Sequence, residues 1–484
     1  MRAKRMAAEA SLLSVSLDRE VKTPLHAQLA DQLRRLILNG RLPVSSKLPS
    51  SRKLSAELSV SRVTVVTAMD QLLSEGYIET RQGSGVFVTA DLPDGAVLRP
   101  HYSQGGGLEK PFEMPEALAI RPFQTALPDL SLFPHRQWSR TFDRIWRQPD
   151  ATLLTNQDPF GWPALRVAIA DHLAAWRGIA CSPEQIVVTA GTRDAIDLIA
   201  HGAFRTGDTV LVENPGYKSL GLALVDGGLK VRPVPMGPQG FDIARGAALA
   251  PEAKGAVVTP SRQFPLGMTL PVARRLDLLS WARETDGLLI EDDYDSEFRY
   301  SGAPLPALMS LDEHGAVVYL GSFSKVLSPT FRLGFLVAPH RLLDAIRNRL
   351  LATGPRASFL VQPVLARFMA EGHFAVHLRR MRRVYGQRRD VLTAALAEQL
   401  GDVLELGDLS AGMHTVAWLR GGRKSTETDQ EIAARASGAG LFLQPLSSYY
   451  AGRTRTQGLV LGYAAFDDAT LIDGVRTLSG LLNG

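Results

Sequence analysis

From about residue 121 onward the chain alternates short apolar runs with amphipathic stretches, and this alternation limits the possible folds more than any other feature. The runs "EQIVVTAGT", "DTVLVENPGY", "GAVVTPSRQFPLG", "GLLIEDDYDSEF" and "AVVYLGSFSK" are separated by helix-like segments such as "RDAIDLIAHGAF" and "ARRLDLLSWARETD". Apolar runs without polar alternation read as strands covered on both faces, so the pattern predicts a largely parallel sheet flanked by helices. Open sheets of this kind bind ligands beyond the carboxyl ends of their strands. Every run carries its polar, Gly- or Pro-rich residues at that end, so those residues are expected to converge.

The N-terminal part reads differently. "PLHAQLADQLRRLILNG" spaces Leu25, Leu29, Leu33, Leu36 and Ile37 as one helix face, ended by Asn39-Gly40. Ser50 or Ser51 is placed to cap a short second helix, and Ser61 a third whose core face is Val65, Val66, Met69, Leu72 and Leu73. "YIETRQGSGVFVT" then reads as a hairpin about Gly83 and Gly85. Three helices and a hairpin make an α+β winged helix-turn-helix over residues 20–90. A recognition helix presents its first turn to base edges, here Ser61, Arg62 and Thr64, with Arg52 on the helix before it. Arg81 and Gly83 on the wing face the minor groove or backbone. A helical oligomerisation module with surface arginines is the competing reading.

Charge placement favours DNA. Residues 1–90 hold 13 Lys and Arg against 8 Asp and Glu, whereas the rest of the chain holds 41 of each. A local basic excess suits a phosphate backbone, and a neutral remainder suits a small-molecule domain. At 484 residues the chain is long enough for two or three domains. The single cysteine, Cys181, excludes an internal disulfide framework and a Cys-built zinc site, and fits a reducing cytoplasm; no metal is expected. No apolar run spans a bilayer and no signal peptide is evident, so a cytoplasmic protein without membrane attachment is expected.

Residues 91–120, "DLPDGAVLRPHYSQGGGLEKPFEMPEALAI", read as a flexible linker, and residues 121–484 as the α/β body, with a small α+β subdomain from about 355 to the end. Within the body, Gly191-Thr192 follows a strand and opens a helix, the arrangement of a phosphate site. Asp292 and Tyr294 end another strand; Ser322, Ser324, Lys325 and Arg332 end a third. A phosphate site, a carboxylate and a lysine amine around one aromatic ring describe pyridoxal 5′-phosphate: Lys325 for the Schiff base, Asp292 for the pyridinium nitrogen, Tyr294 for the ring hydroxyl, Arg332 for phosphate and Tyr217 stacked on the ring. Taken singly, Lys325 reads as a solvated lysine, Asp292 as a helix cap or half of an ion pair and Tyr217 as a core aromatic; the reading rests on their order along separate strands.

Residues 20–90, through "LPSSRKLSAELSVSRVTV" and "GYIETRQGSGVFV", resemble the DNA-binding domain of GntR-type regulators. The body, through "TAGTRDAI", "ENPGY", "TPSRQFPLG", "EDDYDSEF" and "SFSKVLSPTFRLGF", resembles fold-type I aminotransferases, and the fusion resembles the MocR subgroup. The resemblance implies a transcription regulator, not an enzyme, that binds pyridoxal phosphate at Gly191, Thr192, Tyr217, Asp292, Tyr294, Ser322, Lys325 and Arg332. It implies a domain-swapped homodimer on an operator with paired half-sites, and a small-molecule effector that is the cofactor itself or an amine. An active aminotransferase with a DNA-binding tether is the alternative. Phe264 stands where transaminases usually carry asparagine, Arg262 where relatives often have histidine, and Arg193 where glutamine is common. Val460 and Ser219 occupy positions where relatives place arginines for a substrate carboxylate. Arg193, Arg262, Arg453 and Arg455 are the candidates to replace that clamp.

Overall fold

The computed structural model describes residues 14–90, 120–155, 158–302, 305–421, 427–452, 454 and 456–483. Apart from Ile120, the expected linker lies outside them, as do Arg453 and Arg455. The chain divides into two compact units on either side of residue 118.

The N-terminal unit consists of α1 (Leu25–Leu38), α2 (Ser51–Glu57), α3 (Arg62–Ser74) and the hairpin β1 (Ile78–Arg81)–β2 (Gly85–Val88). Ser50 Oγ accepts from Lys53 N at 3.3 Å and Ser61 Oγ from Thr64 N at 3.1 Å, so each helix starts at a side-chain cap. In α3 the buried positions are Val65, Ala68, Met69 and Leu72, one stripe at helical spacing. Val66 and Leu73, expected in that core, lie one position off the stripe and are 38% and 43% exposed. The hairpin pairs Ile78 with Val88 and Arg81 with Gly85. Gly83 and Gly85 turn it with φ of 70° and 107°, angles open mainly to glycine.

The body is built on a sheet of β3 (Ile186–Thr189), β4 (Thr209–Asn214), β5 (Lys230–Pro235), β6 (Gly255–Val258), β7 (Leu288–Asp293), β8 (Val317–Ser322) and β9 (Gly334–Val337), in the order β3-β9-β8-β7-β6-β4-β5. All are parallel except β9, which runs antiparallel between β3 and β8. The sheet is therefore mixed at that position, for a physical reason. Residues 323–333 between β8 and β9 are too few for the crossover that a parallel return needs. The strand β5, with Pro233 and Pro235, sits at the opposite edge, where a missing N–H is tolerated.

Both sheet faces are covered, as the unbroken apolar runs require. Leu288 and Ile290 pack with α4 (Thr192–Ala203) and α7 (His340–Thr353), while Leu289 packs with α6 (Val272–Thr285). Between them in sequence lies α5 (Lys218–Asp226). A long helix, α8 (His373–Leu400), leads to the C-terminal antiparallel sheet of β10 (Leu404–Leu406), β11 (His414–Leu419), β12 (Gln444–Pro445) and β13 (Gly458–Gly462). The start of the body joins this sheet: Phe442 N donates to Pro122 O at 2.9 Å and Gly462 N to Phe123 O at 2.8 Å.

The crossing of β8 and β9 is close-packed. A Cβ at Gly321 would collide with the Phe335 ring, and one at Gly334 would come within 2.9 Å of Gly321 O. Gly321→Ala is therefore expected to destabilise the body by about 1–3 kcal/mol, read as a fall in its denaturant midpoint with an unchanged slope.

Candidate cofactor site and DNA-binding unit

Strand alternation decides which of three successive carboxylates is available to a ligand. Glu291 and Asp293 face one side of β7 and are taken up by the protein. Glu291 accepts from Leu308 N and Met309 N, both at 2.9 Å. Asp293 pairs with Arg177 at 2.9 Å and accepts from Tyr319 Oη at 2.7 Å. Asp292 points to the opposite side, where it lines a cavity of about 330 Å³. Gly191, Thr192, Tyr217, Tyr294, Ser322, Ser324, Lys325 and Arg332 line the same cavity, so the structure brings together every cofactor residue anticipated from the strand ends.

Each is held by its local element. Gly191, with φ of 101°, turns the chain from β3 into α4, and Asp194 Oδ2 accepts from Ala190 N at 2.8 Å to steady that turn. Lys325 follows β8 and donates from Nζ to Ala126 O at 2.9 Å. Burial lowers its pKa against the pull of Asp295 and Asp292. Ser322 Oγ accepts from Ser324 N at 3.2 Å. Arg332 is exposed at a left-handed position, φ 47°, between a 3₁₀ turn and β9. Tyr294 Oη is buried and has no hydrogen-bond partner among the described residues.

Several lining residues escaped the sequence reading. Asp295, one residue past Tyr294, was signalled only by the acidic run "EDDYDSE"; Ala126, Met413 and His414 carried no signal. Phe264 sits at the centre of an aromatic group, edge-on to Tyr217, Tyr294, His414 and Tyr449 at 5.2–5.9 Å between centroids.

Of the proposed replacement clamps, Arg193 reaches the cavity but is paired with Asp226. Arg262 does not line it: it is 2% exposed and held behind the wall near Asp295. Val460 is buried within β13, and Ser219 lines the cavity without bringing a charge.

Burial raises the carboxyls of Asp292, Asp295 and Glu213 to about 7 and that of Glu297 to about 8. These folded values lie above the unfolded ones of about 4, so the folded protein binds extra protons. The associated stability is present at lower pH and lost as pH rises through those values. Burial holds His172 and His377 near 4 and His414 near 3, which acts in the opposite sense but only below about pH 6.5. The protein without cofactor is thus expected to show a lower thermal midpoint at pH 8 than at pH 6.5; a higher one would contradict this assignment.

In the N-terminal unit Arg52, Ser61, Arg62, Arg81 and Gly83 are exposed and Thr64 is partly so. Ser61 and Thr64 hydroxyls lie 2.8 Å apart, Arg62 Nε donates to Ser51 Oγ at 3.2 Å, and Arg81 is held by Glu79 at 2.6 Å above the Phe87 ring.

Residues 138–470 match the model of aminotransferase class I and II, and residues 25–88 match the gntR family of bacterial regulatory proteins. Among solved structures, kynurenine aminotransferase of Pyrococcus horikoshii superposes with a TM-score of 0.68 at 26% identity, over 75% of this chain and 91% of that one. The α-aminoadipate aminotransferase LysN of Thermus thermophilus gives 0.67 at 28% identity, over 75% and 92%. The sheet, its strand-end lysine and the separate winged unit thus define an aminotransferase-fold body joined to a GntR-type DNA-binding domain. The probable rhizopine catabolism regulatory protein MocR of Rhizobium meliloti is 37% identical over 96% of this chain and 94% of its own length. The pyridoxine biosynthesis regulator PdxR of Corynebacterium glutamicum is 36% identical over 95% and 96%. The chain belongs to the MocR-type transcriptional regulators.

Proposed function

We propose that this regulator binds pyridoxal 5′-phosphate at Lys325 and alters its hold on operator DNA when the cofactor, or an amine that reacts with it, occupies the cavity. The observation that carries the reading is the pairing state of the strand-end groups. Glu291 and Asp293 are consumed by the protein, while Asp292 and the buried Tyr294 hydroxyl are left for a ligand in the cavity that Lys325 lines. This donor set fits a phosphorylated pyridine with a ring hydroxyl and an aldehyde.

In this reading Gly191, Thr192, Ser322, Ser324 and Arg332 hold the phosphate, using the α4 N-terminus and a guanidinium. Asp292, charged when it faces a protonated ring nitrogen, loses its burial penalty to that partner. Tyr294 hydrogen-bonds the ring hydroxyl and Tyr217 covers a ring face. Lys325, whose pKa is lowered by burial, is the nucleophile that retains the ligand. Bound there, the cofactor supplies an electrophilic carbon for which an effector amine competes with Lys325. With Val460 and Ser219 uncharged and Arg193 engaged by Asp226, turnover of common α-amino acids is not expected. A half-reaction assay with amino donors and keto acids checks this.

The two relatives named above are assigned to different metabolic roles, so they do not select an effector. Pyridoxal phosphate itself is the first candidate, and an amine bearing another acid group, such as a sulfonate, the second. On the DNA side, Arg52, Ser61, Arg62 and Thr64 are assigned to the major groove, and Arg81 and Gly83 to the flank, in a cytoplasmic homodimer, domain-swapped as in the family, that matches paired half-sites. Operator-binding titrations with and without pyridoxal phosphate, repeated with candidate amines, test the reading. Identical affinities in every arm would overturn it.

Asp292→Asn is expected to weaken cofactor binding more than tenfold, because an amide cannot provide the opposite charge that favours the ring proton. Equilibrium absorbance titration measures it.

A further inference from the structure

Arg262 is a buried cation without an obvious employer. Its Nη2 donates to His414 O at 2.6 Å, while Nε and Nη1 have no hydrogen-bond partner among the described residues. Among the described residues its ion-pair partner is Asp295, 3.7 Å away, whose Oδ2 likewise accepts no hydrogen bond there. The guanidinium passes between two glycines. A Cβ at Gly267 would lie 3.1 Å from Nη2, and a Cβ at Gly412 would collide with the arginine itself. Gly412 leads into β11, and its carbonyl accepts from Tyr300 Oη at 2.5 Å and Tyr463 Oη at 2.7 Å. Arg262 thus lies under the loop 410–414 of the C-terminal subdomain, whose Met413 and His414 line the cavity. Asp295 lines that cavity too, as does Lys325.

We propose that Arg262 and Asp295 form a positioning pair that pins loop 410–414 beside the cavity and sets the proton affinity of Lys325. The inference rests on the cavity being the cofactor site, but it concerns this chain's own groups.

The titratable groups facing Lys325 are Asp295 and Asp292 from the β7 end and His414 from β11, the last neutral because burial holds it near 3. Asp295 is faced by Arg262, Lys325, Asp293, Asp292 and Glu297 and by the phenols of Tyr294, Tyr300 and Tyr463, and the Met413 amide also favours its charged form. Burial outweighs these neighbours and drives Asp295 up to about 7, with Arg262 the largest opposing influence. Of the acids acting on Lys325, Asp295 has the larger effect, ahead of Asp292. An ionised Asp295 therefore favours the ammonium form of Lys325, and Arg262 opposes the burial that would otherwise drive the Asp295 carboxyl still higher. Because Arg262 also holds the His414 carbonyl, displacement of loop 410–414 would carry the guanidinium away from Asp295 and change how readily Lys325 reacts. This links the subdomain to the reactive amine through two side chains.

The test uses the full chain in two arms. In the first, protein without cofactor is treated with cyanate across a pH series, and carbamylation of Lys325 is read by peptide mass spectrometry. In the second, the visible absorbance of added pyridoxal phosphate is titrated with pH. Asp295→Asn removes the favourable charge and is expected to lower the midpoint for Lys325 by about one unit, a tenfold shift. Arg262→Met is expected to move it the same way, because Asp295 then takes up a proton; Arg262→Lys retains a cation and should restore most of the shift. Soluble variants with the wild-type pH profile would overturn the proposal and leave the pair purely structural. If no variant or wild-type protein develops visible absorbance, the cofactor reading fails, while the cyanate arm still decides the pairing.

Discussion

Lys325→Ala is expected to abolish both stable retention of pyridoxal phosphate and the effector response of DNA binding. In the proposed reading the amine is the nucleophile, and the other side chains lining the cavity would hold the ligand by non-covalent contacts alone. Without it the aldehyde has no buried partner, so colour should be lost on gel filtration. Coupling between two sites is typically about 1–3 kcal/mol, or roughly 5- to 150-fold in affinity. In the wild type the operator affinity should change by a factor in that range when the cavity is filled; in the variant the ratio should be close to one. Basal operator affinity should persist, since the N-terminal unit has its own core of Leu29, Leu33, Leu54, Val65 and Leu72. A variant that still responds would place the sensing elsewhere.

Arg62→Ala is expected to cost about 1–3 kcal/mol of operator binding and to relax base preference at one position of each half-site. Arg62 is the first residue of α3, exposed, and steadied by Ser51 Oγ at 3.2 Å, which suits a guanidinium reading a guanine. Arg81→Ala should differ in kind. Arg81, held against Glu79 and Phe87 on the wing, is expected at the minor groove or backbone; if it meets a phosphate, its loss should weaken all sequences alike and reduce the salt slope by about 0.9. Titrations on operator and scrambled duplexes at several salt concentrations separate the two. If Arg62→Ala weakened both duplexes equally, the recognition role would be wrong.

Much of this architecture was legible because period and position carry physical meaning. Unbroken apolar runs announced β3, β4, β6, β7 and β8, and their polar ends announced the cavity that Gly191, Asp292 and Lys325 share. The edge strand β5 was harder to see, because "KVRPVP" interleaves charge and proline. The reversal at β9 follows from the short return after Lys325, a constraint of length that residue type does not express. Arg262 showed as an unusual residue and as a candidate carboxylate clamp. That it lies behind the cavity wall instead of on it depends on Gly267 and Gly412 opening a path, contacts between segments about 150 residues apart. Ala126 enters the site by a backbone carbonyl, which no side-chain pattern could reveal.

The most direct measurement is borohydride reduction of the purified protein with pyridoxal phosphate, followed by peptide mapping of the labelled lysine. The account predicts one stable adduct per chain, on Lys325, together with the loss of visible absorbance on reduction. Label spread over exposed lysines such as Lys230, or absent from the Lys325 peptide, would contradict it.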